Sequence, residues 1–224
     1  MKRLFPVIHI KDELQTLRNV EKCDDVGTAG VFLIHHRANY KKLLAIAEKV
    51  HSAYPNLWVG LNALDLTAAQ SFQLLPIWVK GIWSDDLGIT EVDGGVFNVL
   101  PAAAAQPFRR LHPAEYFGGF AFKYQHPVCN LEVGAQKASK YCNTVTTSGD
   151  GTGFAADITK IKRIKNGMRW TARLGIASGI TPENVSEYLP FVDDFLVATG
   201  ISDDEHNLNR EKLSTLNQTI ASYE

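Results

Sequence analysis

Three glycine-containing turns in the C-terminal part of the chain have a composition suited to holding a phosphate group. SGDGTG covers residues 148–153, SGIT covers 178–181 and ATGIS covers 198–202, each between an apolar run and a polar, helix-like segment. Glycine lets backbone N–H groups approach a ligand, and a helix N-terminus adds partial positive charge. One such turn is explained as well by helix entry. Three of them favour a phosphate site formed by Ser148, Gly149, Gly151, Gly153, Ser178, Gly179, Thr199 and Gly200.

Two ionisable residues stand where they can move protons beside such a site. Lys123 ends the apolar segment FAFKYQ (120–125). Burial at a strand end lowers the pKa of an amine, which suits a general base or a Schiff-base nucleophile. A structural lysine paired with a carboxylate explains Lys123 equally well. Asp150, between two glycines of the first turn, is suited to binding a substrate hydroxyl or exchanging a proton.

Further polar residues follow other apolar runs. Asp85 and Asp86 come after IWVKGIWS (77–84), and adjacent carboxylates on an extended chain face opposite ways, so one points to the site and the other to solvent or a cap. The spacing leaves open which does so. The inward carboxylate is suited to general-base chemistry or to binding a divalent cation. Asn62, at the end of LWVGLN (57–62), either binds a sugar hydroxyl or caps the next turn.

Two histidines and one tryptophan complete the candidates. His9 and His35 follow the first two apolar runs and are either structural, acid/base groups or, with an aspartate, metal ligands. The chain has no HxH or HExxH spacing, so the prediction names no metal site, and a divalent cation stays an option. Trp83, just before the aspartates, either packs in the core or stacks on a flat ring of a ligand.

The elements that position these residues alternate along the chain. Strand-like runs recur about every 25 residues, the rhythm of parallel βαβ units, and VFLI and FLVA are apolar throughout, as expected for a sheet covered by helices. The strands are predicted at 5–10, 30–35, 57–62, 77–84, 116–125, 143–147, 171–178 and 194–200. Eight such units predict a single (β/α)8 TIM barrel over residues 1–224, with a doubly wound open sheet as the competing architecture. In a barrel, the residues that follow the strands meet at one end.

Helical segments fill the gaps between these strands. They are predicted near 12–22, over 39–54, from Thr67 to before Pro76, near 130–140, near 156–166, from Pro182 and near 209–221. The interval 85–115 is the longest irregular one, and only its middle is compatible with a helix.

Several of these segments resemble the BtpA family of ribulose-phosphate-binding type (β/α) barrels. The likeness is carried by TVTTSGDGTGFAADITKIKRIK, by GIASGITPENVSEYLPFVDDFLVATGIS, and by the strand endings VIHI, VGLN and FAFKYQ. It implies a phosphate-binding barrel, with roles for His9, Asn62 and Lys123 at three strand ends. Two loops depart from the family pattern, KDELQTLRN after the first strand and HHRAN after the second.

Composition excludes several classes of partner. The 224 residues carry a net charge of −1 without a basic block, which gives no electrostatic support for nucleic acid or a membrane surface. The apolar run near the start is too short for a signal peptide or a membrane span, so we expect a cytoplasmic protein. Three cysteines without CxxC spacing indicate reduced thiols.

The sequence therefore predicts an enzyme acting on a small phosphorylated sugar or nucleoside metabolite. Isomerisation or epimerisation, lyase chemistry and glycosidic hydrolysis all need a similar acid/base pair, so the reaction class stays open. The alternative is a non-catalytic ligand-binding or complex-assembly factor of the BtpA type. Barrels of this type often associate, which makes a homo-oligomer compatible with either function.

Overall fold

Eight parallel strands close into a barrel in the computed structural model, which describes residues 1–37, 39–151 and 153–223. The strands are β1 (Arg3–His9), β2 (Val31–Ile34), β3 (Val59–Asn62), β4 (Gly81–Ser84), β5 (Glu115–Gly119), β6 (Thr144–Thr147), β7 (Arg173–Ala177) and β8 (Asp194–Val197). β1 pairs with β2 on one side and with β8 on the other, which closes the sheet. The predicted TIM barrel is confirmed, and the open sheet is wrong.

A helix follows each strand. The helices are α1 (Glu13–Val26), α2 (Tyr40–Ala53), α3 (Ala68–Leu74), α4 (Leu100–Arg109), α5 (Leu131–Ala138), α6 (Ile158–Gly167), α7 (Val185–Tyr188) and α8 (Arg210–Ala221). Thr67 caps α3 as predicted, in a reciprocal capping box with Gln70. The long interval before α4 also contains a hairpin in which Thr90–Glu91 pairs with Phe97–Asn98. In the part of the chain described, no helix is both long and apolar enough to cross a bilayer.

The strands bury side chains on both faces, which explains their continuous apolar sequence. In β1, Phe5 and Val7 belong to the cluster inside the barrel, whereas Leu4 and Ile8 pack outward under the helices. This alternation follows from the two-residue period of an extended chain. The same period places His9, the last residue of β1, on the inner face, where it lines the mouth of the barrel.

Aromatic rings fill the inside of the barrel below the mouth. Phe5, Phe32, Trp58 and Phe117 contact one another with ring centroids 4.6–6.0 Å apart. Glycine at position 81 makes room for these rings, because a Cβ there would lie 2.1 Å from the Trp58 ring. The rings thus fill the barrel beneath its C-terminal mouth.

An ion network occupies the N-terminal end of the barrel. The carboxylate of Asp194, which is completely buried, accepts hydrogen bonds from Arg3, Arg173 and Thr144. Arg3 also binds Glu115 with both terminal nitrogens, at 3.0 and 2.9 Å. These contacts join β1, β5, β6, β7 and β8 at the end opposite the candidate site.

The largest differences from the predicted strand bounds are at the end of β5 and at the start of β4. β5 stops at Gly119, not near Gln125, because Ala121 (φ 47°) and Tyr124 (φ 66°) adopt left-handed backbone that a strand cannot contain. Lys123 therefore lies on a turn beyond the strand. β4 begins at Gly81, because residues 76–79 form a turn closed by the hydrogen bond from Val79 N–H to the Pro76 carbonyl.

Candidate active site

A cavity of about 640 Å³ opens at the C-terminal ends of the strands. Its wall takes residues from strand ends and from the loops that follow them. The residues that line it include Val7, His9, Ile34, His36, Trp83, Asp85, Lys123, Tyr124, Ala177, Ser178, Gly179, Ile180, Leu196, Thr199, Gly200, Asp203, Asp204 and Glu205. This is the end of the barrel at which the sequence predicted the site.

The floor of the cavity is apolar and continuous with the barrel interior. Val7, Ile34, Trp83, Ala177 and Leu196 line it and belong to the cluster inside the barrel. Trp83 is 7% exposed and packs edge-on against other aromatic rings, so it is both a core residue and part of the wall. Charged groups above this floor are poorly solvated, which strengthens the interactions between them.

Asp85 is the carboxylate that faces the cavity. Asn62, at the end of β3, donates its amide N–H to Asp85 Oδ1 at 2.9 Å. Burial raises the pKa of Asp85, although the Asn62 hydrogen bond and the nearby Lys123 and His36 oppose this effect. Asn62 is itself buried and orients Asp85, which differs from both roles considered for it in the sequence.

Asp86 faces the opposite way and closes a turn. Its carboxylate accepts a hydrogen bond from the Gly88 N–H at 2.7 Å, and its side chain is exposed. A catalytic role for Asp86 is therefore corrected to a local capping role. The difference from Asp85 follows from the side-chain alternation of the chain as it leaves β4.

Lys123 reaches the cavity from the turn after β5. Its side chain lines the wall, and its Nζ lies 5.8 Å from the centre of the Phe122 ring. Its backbone N–H donates to Ser148 Oγ at 2.8 Å. The charge of Lys123 acts on both Asp85 and His9, which places these three ionisable groups in one electrostatic neighbourhood.

Two histidines lie together on the other side of the cavity. The rings of His9 and His36 meet edge to face with centroids 4.6 Å apart. Burial, together with His36, His206 and Lys123, lowers the pKa of His9 to about 4. His9 is therefore neutral near pH 7 and able to accept a proton. His35, a candidate from the sequence, is 6% exposed and does not line this cavity.

Two turns supply backbone donors at the β7 and β8 side of the cavity. Ser178 (φ 90°) and Gly179 (φ 72°) follow β7 with two successive residues in left-handed backbone. A short 3₁₀ turn, Thr199–Ile201, follows β8. Among the hydrogen bonds of the described residues, none uses the N–H of Gly179, Thr199 or Gly200 as a donor. These N–H groups stay available to an anion, as at the N-terminus of a helix.

The first glycine turn, SGDGTG, lies beside this cavity, so Ser148, Gly149, Gly151 and Gly153 do not line it together with the other two turns, as the sequence predicted. Gly149 lines a smaller, adjoining cavity instead. A Cβ on Gly149 would lie 2.3 Å from the Phe154 carbonyl oxygen, so this glycine serves the packing of its own loop. Ser148 Oγ accepts a hydrogen bond from the Lys123 N–H and donates one to the Gly149 carbonyl. Thr152 of this turn lies outside the described residues.

The three turns do pack against one another. A Cβ on Gly179 would lie 2.0 Å from Ala155 N in the first loop, and one on Gly200 would lie 1.9 Å from the Ile180 carbonyl oxygen. The glycines therefore allow three loops to stack backbone on backbone. The first loop supports the second, and the second supports the third.

Asp150 is also displaced from its predicted place. It lines a second, smaller cavity of about 360 Å³ together with Lys160, and its side chain is exposed. Lys123 and Tyr124 form part of both cavities. An acid/base role for Asp150 in the main cavity is not supported by this arrangement.

The rim of the main cavity carries three acidic residues, Asp203, Asp204 and Glu205. Asp204 accepts the N–H groups of His206 and Asn207, and Asp203 accepts the Asn209 side-chain amide. These two carboxylates are thus engaged in their own turn. In the part of the chain described, no three His, Cys, Asp or Glu side chains are grouped so that they could hold a metal ion.

His36 and the residues that hold Lys123 were missed in the sequence. The sequence does contain a signal for His36, namely its two-residue spacing from the floor residue Ile34, which repeats the spacing of His9 from Val7. Gln125 and Lys160, described below, gave no signal, because their roles depend on contacts between loops.

Comparison with known proteins supports the fold and leaves the family open. No family model matches the chain, and no curated protein matches it. Phosphoribosyl anthranilate isomerase from Thermus thermophilus has 16% identity over 99% of this chain and all of its own, with a TM-score of 0.64. 3-Hexulose-6-phosphate synthase from Salmonella typhimurium has 15% identity over 99% of this chain and all of its own, with a TM-score of 0.69.

A third similar structure is the tryptophan synthase alpha chain from Legionella pneumophila. It has 14% identity, covers 98% of this chain and 92% of its own, and has a TM-score of 0.69. At this level of identity the likeness establishes the fold alone. The chain is a (β/α)8 barrel similar in fold to these enzymes.

Proposed function

We propose that the protein is an enzyme that binds a small phosphorylated metabolite in the main cavity and transfers protons on it. The observation that carries the proposal is that available N–H donors of the β7 and β8 turns share one cavity with the half-buried carboxylate of Asp85. A phosphate at the turns would leave the rest of the ligand above the apolar floor. The names of two similar structures, an isomerase and a synthase, contain phosphorylated compounds, which is consistent with this proposal.

Six residues of the cavity have a chemical role in this proposal. Gly179, Thr199 and Gly200 donate their N–H groups to the phosphate. Asp85, with its raised pKa, exchanges a proton with the substrate, and neutral His9 accepts or returns one on the facing side. Lys123 stabilises negative charge that develops between them or attacks a carbonyl carbon. Isomerase or epimerase, lyase and glycosidase chemistry all remain compatible with these groups.

Thr199 offers a sharp test of the phosphate site. Its side chain is exposed, so Thr199→Asp and the neutral, nearly isosteric Thr199→Asn should both fold. We expect inorganic phosphate and sugar phosphates to raise the melting temperature of the wild type and of Thr199→Asn, because ligand binding stabilises the folded state. Thr199→Asp should lose this rise by charge repulsion. An equal rise in both variants would exclude phosphate binding at these turns.

Catalysis is tested separately with ligands that pass this screen. Product formation from each stabilising ligand is followed by mass spectrometry and NMR for the wild type, Asp85→Asn and Lys123→Met. Loss of turnover with retained binding in Asp85→Asn supports the enzyme. Binding without turnover in the wild type would favour the non-catalytic ligand-binding or assembly role that the resemblance to the BtpA family suggests.

A further inference from the structure

A set of contacts between loops fixes the turn that carries Lys123. Lys160, in the first turn of α6, donates its amine to the carbonyls of Ala121 at 2.6 Å and Ser148 at 2.7 Å. Thr147 Oγ1 donates to the same Ala121 carbonyl at 3.1 Å. Ala121 has left-handed backbone (φ 47°), which is strained for a residue that carries a Cβ. The contacts from Lys160 and Thr147 therefore hold a peptide that would otherwise relax.

The other end of the same turn is tied to the peptide of Asp85. Gln125 accepts the Phe122 N–H on its side-chain oxygen at 3.0 Å and donates its amide N–H to the Asp85 carbonyl at 2.9 Å. Tyr124, between Lys123 and Gln125, is a second residue with left-handed backbone. The strand below approaches closely as well, because a Cβ on Gly119 would lie 1.9 Å from the Asp85 carbonyl oxygen.

We propose that Lys160 and Gln125 are positioning residues that hold Lys123 at a fixed distance from Asp85 and His9. This inference rests on the proposed function, since it gives these three groups a common task. Lys160 reaches the turn from α6, and Gln125 reaches it from within the turn itself. Lys160 does not line the main cavity and acts on it only through the Lys123 turn. Burial lowers the pKa of the Lys160 amine, while Asp150 beside it acts in the opposite direction.

The pKa of His9, measured by NMR titration of its ring resonances, reports the position of Lys123 without any substrate. Burial lowers this pKa most, and His36, His206 and the positive charge of Lys123 lower it further. Lys160→Met should let the turn relax and move Lys123 away, which raises the pKa of His9. Lys162→Met is the matched control, because Lys162 is exposed on the same helix and contacts Phe191.

A double-mutant cycle separates positioning from a purely structural role. We expect Lys160→Met to raise the pKa of His9 by part of the shift that Lys123→Met causes, and to cause no further shift in the Lys123→Met background. The same shift in both backgrounds, or a shift equal to that of Lys162→Met, would overturn the proposal. If Lys160→Met does not fold, Gln125→Leu takes its place, and the pKa of His9 is measured in the same two backgrounds. Phosphate binding is not part of this readout, so failure here is distinguishable from failure of the proposed function.

Discussion

The ion network at the N-terminal end of the barrel predicts a large effect of one uncharged substitution. Asp194→Asn preserves the shape of a side chain that is completely buried and that binds Arg3 and Arg173 with nitrogen-to-oxygen distances of 2.7 Å. Asparagine lacks the charge and turns an N–H group towards one guanidinium. Breaking a buried ion pair by removing one partner costs about 3–5 kcal/mol. For a chain of this size that corresponds to a fall in melting temperature of roughly 6–20 °C.

The neighbouring residue gives a matched control. Asp193 also forms an ion pair, with Lys165 Nζ at 2.7 Å, but both side chains are partly exposed. An exposed ion pair contributes about 0–1 kcal/mol to stability. Asp193 also accepts a hydrogen bond from the Leu174 N–H, and Asp193→Asn keeps a side-chain oxygen that can accept it. The two variants are compared by urea unfolding and by thermal melts. If Asp194→Asn costs no more than Asp193→Asn, the network does not stabilise the fold as argued.

The pH dependence of this difference follows from the direction of the pKa shift. Burial alone would raise the pKa of Asp194, but the hydrogen bonds from Arg3 and Arg173 outweigh it and leave the pKa below the usual value. A carboxylate with a lowered pKa stabilises the folded state above the unfolded-state pKa, and this contribution is lost as the pH falls through the folded-state value. The wild type and Asp194→Asn should therefore become more similar in stability below about pH 4.

Two further predictions concern the mouth of the barrel. Because the pKa of His9 falls from 6.5 to about 4 on folding, the unfolded chain binds the proton first as the pH is lowered. Between pH 6.5 and 4 the wild type should therefore lose up to about 3 kcal/mol of unfolding free energy relative to His9→Gln. Unfolding free energies from urea titrations that change equally with pH in both proteins would contradict this. Gly200→Ala should lower the free energy of unfolding by about 3 kcal/mol, because the new Cβ would meet the fixed Ile180 carbonyl. The matched control is Gly153→Ala, whose Cβ has nothing within 4 Å among the described residues. It should cost about 1 kcal/mol, because the backbone there is left-handed. Equal costs by urea unfolding would refute the stacking of the turns.

The strand count and the alternation of strands with helices predicted the barrel, although they left the open sheet as the competing architecture. Those features depend on local periodicity, which the sequence contains directly. The predicted end of β5 was wrong because FAFKYQ has the apolar pattern of a strand. Ala121 and Tyr124 nevertheless adopt left-handed backbone, and neither is a glycine that would have indicated it. That conformation is maintained by contacts from another loop, so no local pattern could have indicated it.

The choice of Asp85 over Asp86 and of His36 over His35 could have been made from the sequence with one further step. In each case the residue that faces the cavity is two positions beyond a wall residue of the preceding strand, Trp83 for the aspartate and Ile34 for the histidine. The alternation of an extended chain therefore continues a short way past the strand end.

The glycine turns show a limit of another kind. A glycine that lets a phosphate approach the backbone and a glycine that lets a second loop approach it satisfy the same steric condition, since both require the absence of a Cβ. At Gly149 a carbonyl of its own loop takes that space, whereas Gly179 and Gly200 pack on neighbouring loops and still leave their N–H groups available. Which partner occupies the space is decided by the stacking order of the loops around the barrel. That order is a property of the closed fold, which is why the sequence could group the three turns but could not distinguish the supporting turn from the two that line the cavity.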